Sequence, residues 1–504
     1  MKKTILTMAM LLATTLWCTA QQTMWVTTGP VRYAFDTQQV GRMTCNASGD
    51  SLTIQGKEFA VSDIDSIYIA SGLMEYNTVL VDYADTCARV CMSGNIAGRV
   101  TATIDGAHVS VVQDSALINE EIFYTLAGES ADGSFYHKGD FKITLILDSL
   151  TLTSSRGAAI TIDNGKRIEL QLNDGTVNTL ADCPAGTQKG CFVVDGHTEI
   201  KGGGDLVLTG NTKHAFKGDE YIELKKSFFG RIIVKDAVGD GLNTNQYIEV
   251  KAGSLIVESC GGDGVQVDKK QDTTKENNGQ LLMSGGLVRV LKTGDDCKGI
   301  KIEDIATISG GTIEVSASEN ALHAKGNMTI SGGDIYAYSA TGNAINSAVN
   351  LSVTGGRMVA YGASTSAYGL RGANKLTIGG GHIAAMGGLN STPKTATVMQ
   401  PVLTYTGKLT QDTNLVLTTT DDDGNAIETM AFTVTRAYSS SKNHSLLLSS
   451  PAIAVGKDYT LNSGATLDAD KQNWHSLYTT GDAATDAGTP LATATAATPF
   501  ATLK

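Results

Sequence analysis

The chain has 504 residues with 51 acidic and 39 basic side chains, so its formal net charge at neutral pH is −12. Nucleic-acid binding needs a basic surface, and this balance argues against such a partner. Glycine is abundant, at 56 residues, and proline is scarce, at 7, which is typical of many tight turns between short strands.

The first twenty residues have the pattern of a secretory signal peptide. Two lysines precede an apolar run over 5–17, and the segment ends in Cys18-Thr19-Ala20. The run is shorter than the about 20 apolar residues that a membrane span requires, and no later segment is apolar enough to cross a membrane. We expect cleavage after Ala20 and a mature protein that is secreted, periplasmic or held at the cell surface. Cys18 leaves a lipid anchor as the alternative.

Seven cysteines follow the signal peptide, and an odd number cannot all pair within one chain. They are Cys45, Cys87, Cys91, Cys183, Cys191, Cys260 and Cys297. The pairs Cys87/Cys91 and Cys183/Cys191 could each close a short loop, while buried free thiols explain the same pattern. No pair has the CxxC spacing of a zinc site.

Residues 21–75 are predicted to form a small β unit. Two short strand-like segments, 51–54 and 58–61, flank the turn signal Gln55-Gly56-Lys57, and 66–70 adds another strand. The expected role of this unit is to cap the open end of the following domain, since an uncovered terminal coil would template aggregation.

From residue 283 onward the chain repeats one phrase, a pair of glycines flanked by strand residues. The repeats are 22 to 25 residues apart, and the first glycine of each pair is Gly285, Gly310, Gly332, Gly355 and Gly380. This period predicts a solenoid whose unit is one coil of short strands. Related segments extend back to residue 140, which makes roughly eleven coils at the usual strand spacing.

The predicted fold is therefore all-β, a solenoid over 76–395 with a small β unit at each end. After Thr392 the period is lost. Strand-like segments and a turn at 421–425 predict a C-terminal β domain over 396–504. The Ala/Thr-rich end after Gly488 should be loosely ordered.

Alternation after each glycine pair sorts the strand residues into an inward and an outward set. One inward position is apolar in four successive coils, at Ile313, Ile335, Met358 and Ile383. Tyr336, Tyr338 and Tyr361 then point outward, and exposed aromatic rings in a row can stack on sugar rings. The alternative is that the C-terminal domain packs over them.

Carboxylates recur at one stage of successive coils and suggest a calcium site. Asp240 and Asp263 are 23 residues apart and both precede glycine, and the further members are Asp268, Asp295, Asp296 and Glu319. Carboxylates on adjacent coils lie about 5 Å apart, which favours a shared hard cation. The alternative is turn chemistry, in which each carboxylate bonds its own backbone.

Several longer phrases resemble one known family. They include Leu126-Ala-Gly-Glu-Ser-Ala-Asp-Gly-Ser-Phe, Gly165-Lys-Arg-Ile-Glu-Leu-Gln-Leu-Asn-Asp-Gly, Ala237-Val-Gly-Asp-Gly-Leu-Asn and Ser449-Ser-Pro-Ala-Ile-Ala-Val-Gly-Lys-Asp-Tyr. The family is that of bacterial secreted carbohydrate-binding-domain proteins with a polysaccharide-lyase-like, right-handed parallel β-helix. The resemblance implies non-catalytic binding of plant-type polysaccharides, including acidic pectic chains, with calcium on the helix. The segment 59–68 is similar to phrases in exported Bacteroidetes proteins.

The sequence thus predicts a secreted carbohydrate-binding protein that holds an extended polysaccharide on a β-helix face with help from calcium. Lys298, Lys301 and Arg289 are further candidate contacts to the sugar. The main rival is a calcium-dependent enzyme of the pectate-lyase type, in which one of these basic residues removes the proton next to the uronate carboxylate. A second rival is a cell-surface adhesin or structural module.

Overall fold

The computed structural model describes residues 22–364, 366–397, 399–439 and 444–504. The predicted signal peptide, with Cys18, lies outside the described residues. Regular structure in the described part is almost entirely β-strand, with two single-turn 3-10 helices at Val61–Asp63 and Gly94–Ile96. No helix in these ranges is long and apolar enough to cross a membrane.

The central part of the chain winds into a parallel β-helix of about eleven coils, which confirms the predicted fold class. Each coil contributes to three parallel faces, which we name sheets 1, 2 and 3. The strands of sheet 1 are Arg167–Leu172, His197–Gly202, Ile222–Phe228, Tyr247–Val250, Gln280–Met283, Ala306–Ile308 and Met328–Ile330. The strands of sheet 2 are Val177–Ala181, Asp205–Gly210, Arg231–Ala237, Ser254–Val257, Leu287–Val290, Thr312–Ala317 and Asp334–Ser339. Four longer strands run through both of these sheets, at Ile122–Ser130, Ile143–Thr153, Asn350–Tyr361 and Lys375–Met386.

Sheet 3 closes the coil on the remaining side and is separate from the other two sheets. Its first two strands are antiparallel and all later neighbours are parallel. Its strands are Val100–Asp105, Ala107–Gln113, Gly133–Lys138, Ile160–Asp163, Gly190–Val194, His214–Gly218, Leu242–Thr244, Val265–Val267, Ile300–Ile302, Leu322–Ala324, Ile345–Ser347 and Leu370–Gly372.

Each glycine pair lies at the corner between sheet 1 and sheet 2. A Cβ on the first glycine would collide with the preceding coil, and at Gly332 it would lie 2.4 Å from the carbonyl oxygen of Ser309. The second glycine has a positive φ that side chains rarely adopt, +91° at Gly333. The stacking of turns therefore requires both glycines. It also leaves a row of bare backbone along this corner.

The interior of the β-helix repeats the same positions from coil to coil. The inward prediction is confirmed, because the side chains of Ile313, Ile335, Met358 and Ile383 are at most 2% exposed. Phe192 and Phe216 stack in adjacent coils of sheet 3 with ring centroids 5.0 Å apart. Because each coil buries its apolar residues against its neighbours, the core grows by one layer with every repeat.

The N-terminal unit is built mainly from antiparallel strands. Gln22–Thr28 pairs with both Val31–Asp36 and Ser66–Ser71. Thr78–Ala84 then pairs in parallel with Ile122–Ser130, which joins this unit to the first coil. The strands of the unit are Gln22–Thr28, Val31–Asp36, Thr44–Cys45, Ser51–Ile54, Lys57–Ala60, Ser66–Ser71, Thr78–Ala84 and Cys87–Ser93.

The C-terminal unit continues sheet 2 beyond the last coil, where Leu446–Ser449 pairs antiparallel with Lys375–Met386. The expectation of a loosely ordered end is wrong. Thr489–Thr495 pairs with Asp458–Ser463, and Leu503 is buried in the final strand. The strands of the unit are Val402–Tyr405, Thr413–Thr420, Ala426–Val434, Leu446–Ser449, Asp458–Ser463, Thr466–Leu467, Asn473–Trp474, Leu477–Tyr478, Ala484–Asp486, Thr489–Thr495 and Ala501–Leu503.

The cysteines form no disulfide within the described residues, and all seven that follow the predicted signal peptide are free thiols. Cys183, Cys191 and Cys260 are buried. Burial raises the pKa of the Cys260 thiol to about 12, so this group is protonated at neutral pH. These three residues therefore pack as small apolar side chains.

Candidate functional site

The predicted row of tyrosines lies on sheet 2, and the C-terminal unit covers it. Tyr361 is 1% exposed, and its hydroxyl donates a hydrogen bond to the carbonyl of Thr433 at 2.8 Å. The ring of Tyr336 stacks on His475 with centroids 3.9 Å apart. The guanidinium of Arg436 lies 4.3 Å from the centre of the Tyr338 ring. These tyrosines therefore do not form the predicted open aromatic platform. They lie in the interface between the β-helix and the C-terminal unit.

The reason for the cover is the apolar character of the last coils. Beside the tyrosines, the outward positions of sheet 2 are filled by Val359, Ala384 and Met386, all of which are buried. Left in water, such a contiguous apolar patch would be unfavourable, and the C-terminal sheet buries it. Arg289 lies on the same side of the helix, where its Nε donates to the Glu314 carboxylate. It is therefore on a different face from Lys298 and Lys301.

The outer side of sheet 3 carries one polar side chain per coil over seven successive coils, and we name this row the polar column. The C-terminal strands make no substantial contact with sheet 3 among the described residues. Strand register places its members directly above one another: Lys217, Asn243, Gln266, Lys301, His323, Asn346 and Arg371.

Hydrogen bonds link neighbouring members of the polar column. Lys217 Nζ donates to Asn243 Oδ1 at 2.6 Å, and Lys301 Nζ donates to the Gln266 side-chain oxygen at 3.2 Å. Arg371 Nη1 donates to Asn346 Oδ1 at 2.9 Å. Because these side chains support one another, they present donors and acceptors in fixed positions along the helix axis.

Three of the predicted calcium ligands border the polar column, but their oxygens are bonded within the protein. Asp240 Oδ1 accepts the amide of Asp263 at 2.9 Å, and Asp263 Oδ1 accepts the amide of Lys298 at 2.7 Å. Lys301 Nζ lies 3.3 Å from the other oxygen of Asp263. Asp268 accepts a hydrogen bond from Gln266 at 2.6 Å. Asp240 and Asp263 thus tie each turn to the next coil.

The remaining predicted ligands do not line up with Asp240 and Asp263, because the sequence prediction assumed the wrong register between coils. The residue equivalent to Asp263 in the next coil is Lys298, so Asp295 and Asp296 belong to the preceding turn, where Asp296 has a φ of +57°. Glu319 forms an ion pair with Lys298. No group of three or more His, Cys, Asp or Glu side chains in the described part of the chain is arranged to hold a metal ion. The calcium site therefore stays a prediction.

Burial controls the protonation of the groups beside the polar column. His214 Nδ1 accepts the amide of Asp240 at 3.1 Å, and burial lowers the pKa of His214 to about 3. The imidazole is therefore neutral, and its 3.3 Å approach to the Asp240 carboxylate is not an ion pair. Burial also lowers the pKa of Lys217 to about 8. Among the described residues its Nζ donates hydrogen bonds to the amide oxygens of Asn243 and Asn245 and to no other group.

A second ordered row lies on the outer side of sheet 1. The rings of His197, Tyr221 and Tyr247 stack in register, with both centroid distances 4.6 Å. Next to them runs a column of carboxylates, interleaved with lysines and Arg167: Glu169, Glu199, Glu223, Glu249, Lys201, Lys225 and Lys251. The phrase Tyr-Ile-Glu recurs at 221 and 247 and is the sequence signal for this row. Its rings contact one another face to face, so they present mainly their edges to solvent.

Comparison with known proteins supplies the family. No curated protein matches this chain. A solved structure of a polysaccharide lyase-like protein from C. thermocellum, a gadolinium derivative, is 20% identical, covers 48% of this chain and 91% of its own, and superposes with a TM-score of 0.40. The sequence model of the carbohydrate-binding domain-containing protein family matches residues 105–390, which include sheet 3 from its second strand to its last. The chain therefore belongs to the family of carbohydrate-binding domain-containing proteins.

Proposed function

We propose that this protein is a secreted or surface-held, non-catalytic carbohydrate-binding protein that holds an extended polysaccharide along the polar column. The observation that carries the proposal is the column itself, one polar side chain per coil over seven coils. Six strand spacings of about 4.8 Å give it a length of about 29 Å. The coil spacing is close to the length of one sugar residue in an extended chain, so each residue of the polymer can meet equivalent groups.

The protein groups need little reorganisation to bind. Lys217, Asn243 and Asn346 are already buried against their neighbours, and their hydrogen bonds hold their rotamers. A ligand that meets groups of this kind does not lose affinity to the ordering of long flexible side chains. This arrangement supports recognition of sugar hydroxyls along the polar column.

Two cations at the ends of the column support the binding of acidic, pectin-like chains. Lys217 and Arg371 bond amide oxygens, and neither takes part in an ion pair among the described residues. A uronate carboxylate can therefore pair with either of them without displacing a protein carboxylate. The negative charge of the whole chain opposes an acidic polymer at long range, so this binding should strengthen as salt screens that repulsion.

Affinity gel electrophoresis tests the proposal. The native protein is run through gels that contain polygalacturonate, arabinoxylan, cellulose derivatives or no polymer, and its retardation is compared with that of Arg371→Ala and Asn346→Ala. Lys408→Ala, an exposed change in the C-terminal unit, is the matched control. We expect retardation by at least one polymer, reduced in both column variants and unchanged in the control. Equal retardation of all four proteins would refute binding along the column.

Calcium enters the proposal as an added requirement that the same gels can test. Retardation is measured with 2 mM calcium chloride and with excess chelator, about the concentrations at which weak extracellular sites fill and empty. Loss of retardation with chelator would support a calcium-assisted site, and equal retardation would reject it. A surface adhesin or structural module would show no retardation by any polymer.

The main rival is a lyase, and one observation favours it. Lys298 pairs with Glu319 and Lys301 with Asp263, so each ammonium group is already engaged by a carboxylate. Lys217, in contrast, has a pKa lowered to about 8 by burial and is available as a base near neutral pH. Appearance of unsaturated-uronide absorbance with polygalacturonate, lost in Lys217→Met, would establish the lyase. If this absorbance does not rise during prolonged incubation, the lyase is rejected.

A further inference from the structure

A groove lies along the glycine corner, on the other side of the molecule from the polar column. Four successive coils form its floor, from Gly310 to His382, and the C-terminal unit forms the facing wall at Gln472, Thr479 and Thr480. The groove has a volume of about 720 Å³ and is open to solvent. Three strand spacings make the floor about 14 Å long. These dimensions suit a di- or trisaccharide rather than a long polymer.

Several backbone amides on the floor make no hydrogen bond within the described residues. The amides of Thr312 and Asp334 donate to the preceding coil, at 2.8 and 2.9 Å. The amides of Gly310, Gly311, Gly332 and Gly333 make no backbone hydrogen bond in the described structure. Because these glycines have no side chains, a ligand oxygen can approach their N–H groups closely.

The wall is a β-hairpin anchored on the β-helix. Asn473–Trp474 pairs with Leu477–Tyr478, and the two residues between them, His475 and Ser476, have φ values of +46° and +63°. Positive φ at both positions is the conformation of a tight hairpin turn. The turn is fixed because His475 stacks on Tyr336. The hairpin therefore holds Gln472 opposite the glycine corner as a fixed wall.

Polar side chains in the groove remain available to a ligand. Gln472 and Thr479 have no hydrogen-bond partner within the described protein. The guanidinium of Arg357 lies 5.5 Å from the Trp474 ring, and the indole Nε1 of Trp474 is buried without a hydrogen-bond partner. An unpaired buried N–H group is unfavourable, but this one does not line the groove, so Gln472 and Thr479 are the side chains open to a ligand.

The charges of the groove are balanced. Arg357 and Asp334 pair through two hydrogen bonds of 2.9 Å, so neither offers a free charge to a ligand. Burial, followed by the charge of Arg357, lowers the pKa of His382, which is therefore neutral at pH 7. Neutral donors and acceptors around an uncharged cavity match the hydroxyl groups of a neutral sugar better than a uronate.

We propose that the groove between the glycine corner and the 473–478 hairpin is a second carbohydrate site, which takes a neutral di- or trisaccharide. It is separate from the polar column and does not depend on binding there. The glycine amides would bond hydroxyl oxygens from below, and Gln472 and Thr479 would bond the sugar from the wall. The site gives the protein a place to hold the end or a branch of a glycan.

Isothermal titration with xylotriose, cellotriose, mannotriose and trigalacturonate tests this site. We expect saturable binding of at least one neutral trisaccharide. Thr480→Trp, which fills the groove from an exposed position, should weaken that binding at least tenfold, and Gln472→Ala should weaken it severalfold. Thr489→Trp places the same ring on an exposed strand outside the groove and should bind like the native protein. The glutamine variant keeps the test valid if the tryptophan variant fails to fold.

The outcomes separate this site from the polar column. Arg371→Ala should leave trisaccharide binding unchanged, while Thr480→Trp should leave polymer retardation unchanged. The inference is overturned if no neutral trisaccharide binds, if only trigalacturonate binds, or if both groove variants bind like the native protein. Failure of polymer retardation alone would leave the groove result standing.

Discussion

Replacing Lys217 with methionine should weaken polymer binding and at the same time remove the gain in stability that this lysine gives the native protein between pH 8 and 10.5. Methionine has nearly the same length, so it fills the space of the buried alkyl chain without the charge. The native lysine is 7% exposed, and burial lowers its pKa from 10.5 to about 8. The charged side chain is therefore a destabilising feature that the proposed function retains.

The magnitude follows from the difference between the two pKa values. A lowering from 10.5 to about 8 corresponds to about 3 kcal/mol of unfolding free energy. Below pH 8 the lysine is protonated in both states, so the full penalty is present. Between pH 8 and 10.5 the unfolded chain holds a proton that the folded protein has lost, so native stability rises with pH. Above pH 10.5 the penalty is gone.

Methionine also removes two hydrogen bonds, and this loss does not depend on pH. Asn243 Oδ1 and Asn245 Oδ1 lose their donor at 2.6 and 2.5 Å, which destabilises the folded state by about 1–3 kcal/mol in total. At pH 7 the variant should therefore be as stable as the native protein or up to about 2 kcal/mol more stable. Near pH 10.5 it should be less stable by about 1–3 kcal/mol.

Urea denaturation at pH 7, 8, 9 and 10, followed by far-ultraviolet circular dichroism, measures this change. Other groups titrate in both proteins and cancel in the difference between their unfolding free energies. Lys408→Met, at an exposed position, controls for the loss of one positive charge. A difference between the unfolding free energies of the native and Lys217→Met proteins that stays constant from pH 7 to pH 10 would contradict a pKa of Lys217 that burial lowers.

Three further predictions concern stability. His137 is fully buried, neither of its ring nitrogens is hydrogen-bonded, and burial lowers its pKa to about 3. Between pH 6.5 and 3 the unfolded state therefore binds a proton that the folded state does not, which destabilises the fold by about 1.4 kcal/mol per pH unit. His137→Leu should remove this effect, so that stability against urea falls less steeply on acidification than in the native protein. Gly332→Ala places a Cβ 2.4 Å from the Ser309 carbonyl oxygen and should cost about 1–3 kcal/mol, whereas Gly165→Ala meets no atom within 4 Å and should change the urea midpoint little. Arg436→Ala removes donors to the carbonyls of residues 339 and 362, at 2.7 and 3.1 Å, and should lower the free energy of unfolding by about 2–4 kcal/mol. Limited proteolysis should then cleave the C-terminal unit first. An unchanged digestion pattern would contradict this role of Arg436.

Local patterns in the sequence were sufficient to predict which strand residues point inward and which point outward. The glycine pairs mark the corner between sheets 1 and 2 because both the collision at Gly332 and the positive φ at Gly333 are properties of the backbone. The same spacing did not carry over to the acidic row. There the chain replaces the expected aspartate with Lys298, and an aspartate pair just before it offered a false match. A hydrogen bond between coils, not distance along the chain, defines the equivalent residue.

Local sequence patterns are enough to predict the glycine ladder, the period of the coils and the alternation that fills the core with apolar residues. These follow from interactions between near neighbours and adjacent repeats, so they leave a regular imprint on the chain. Which outward row is covered depends on the fold as a whole. Tyr361 is buried by a segment more than 70 residues away, while among the described residues the strands of that C-terminal unit make no substantial contact with the sheet that carries Lys217 to Arg371. Cover depends on the docking of a separate unit, and no local pattern in the β-helix records that contact.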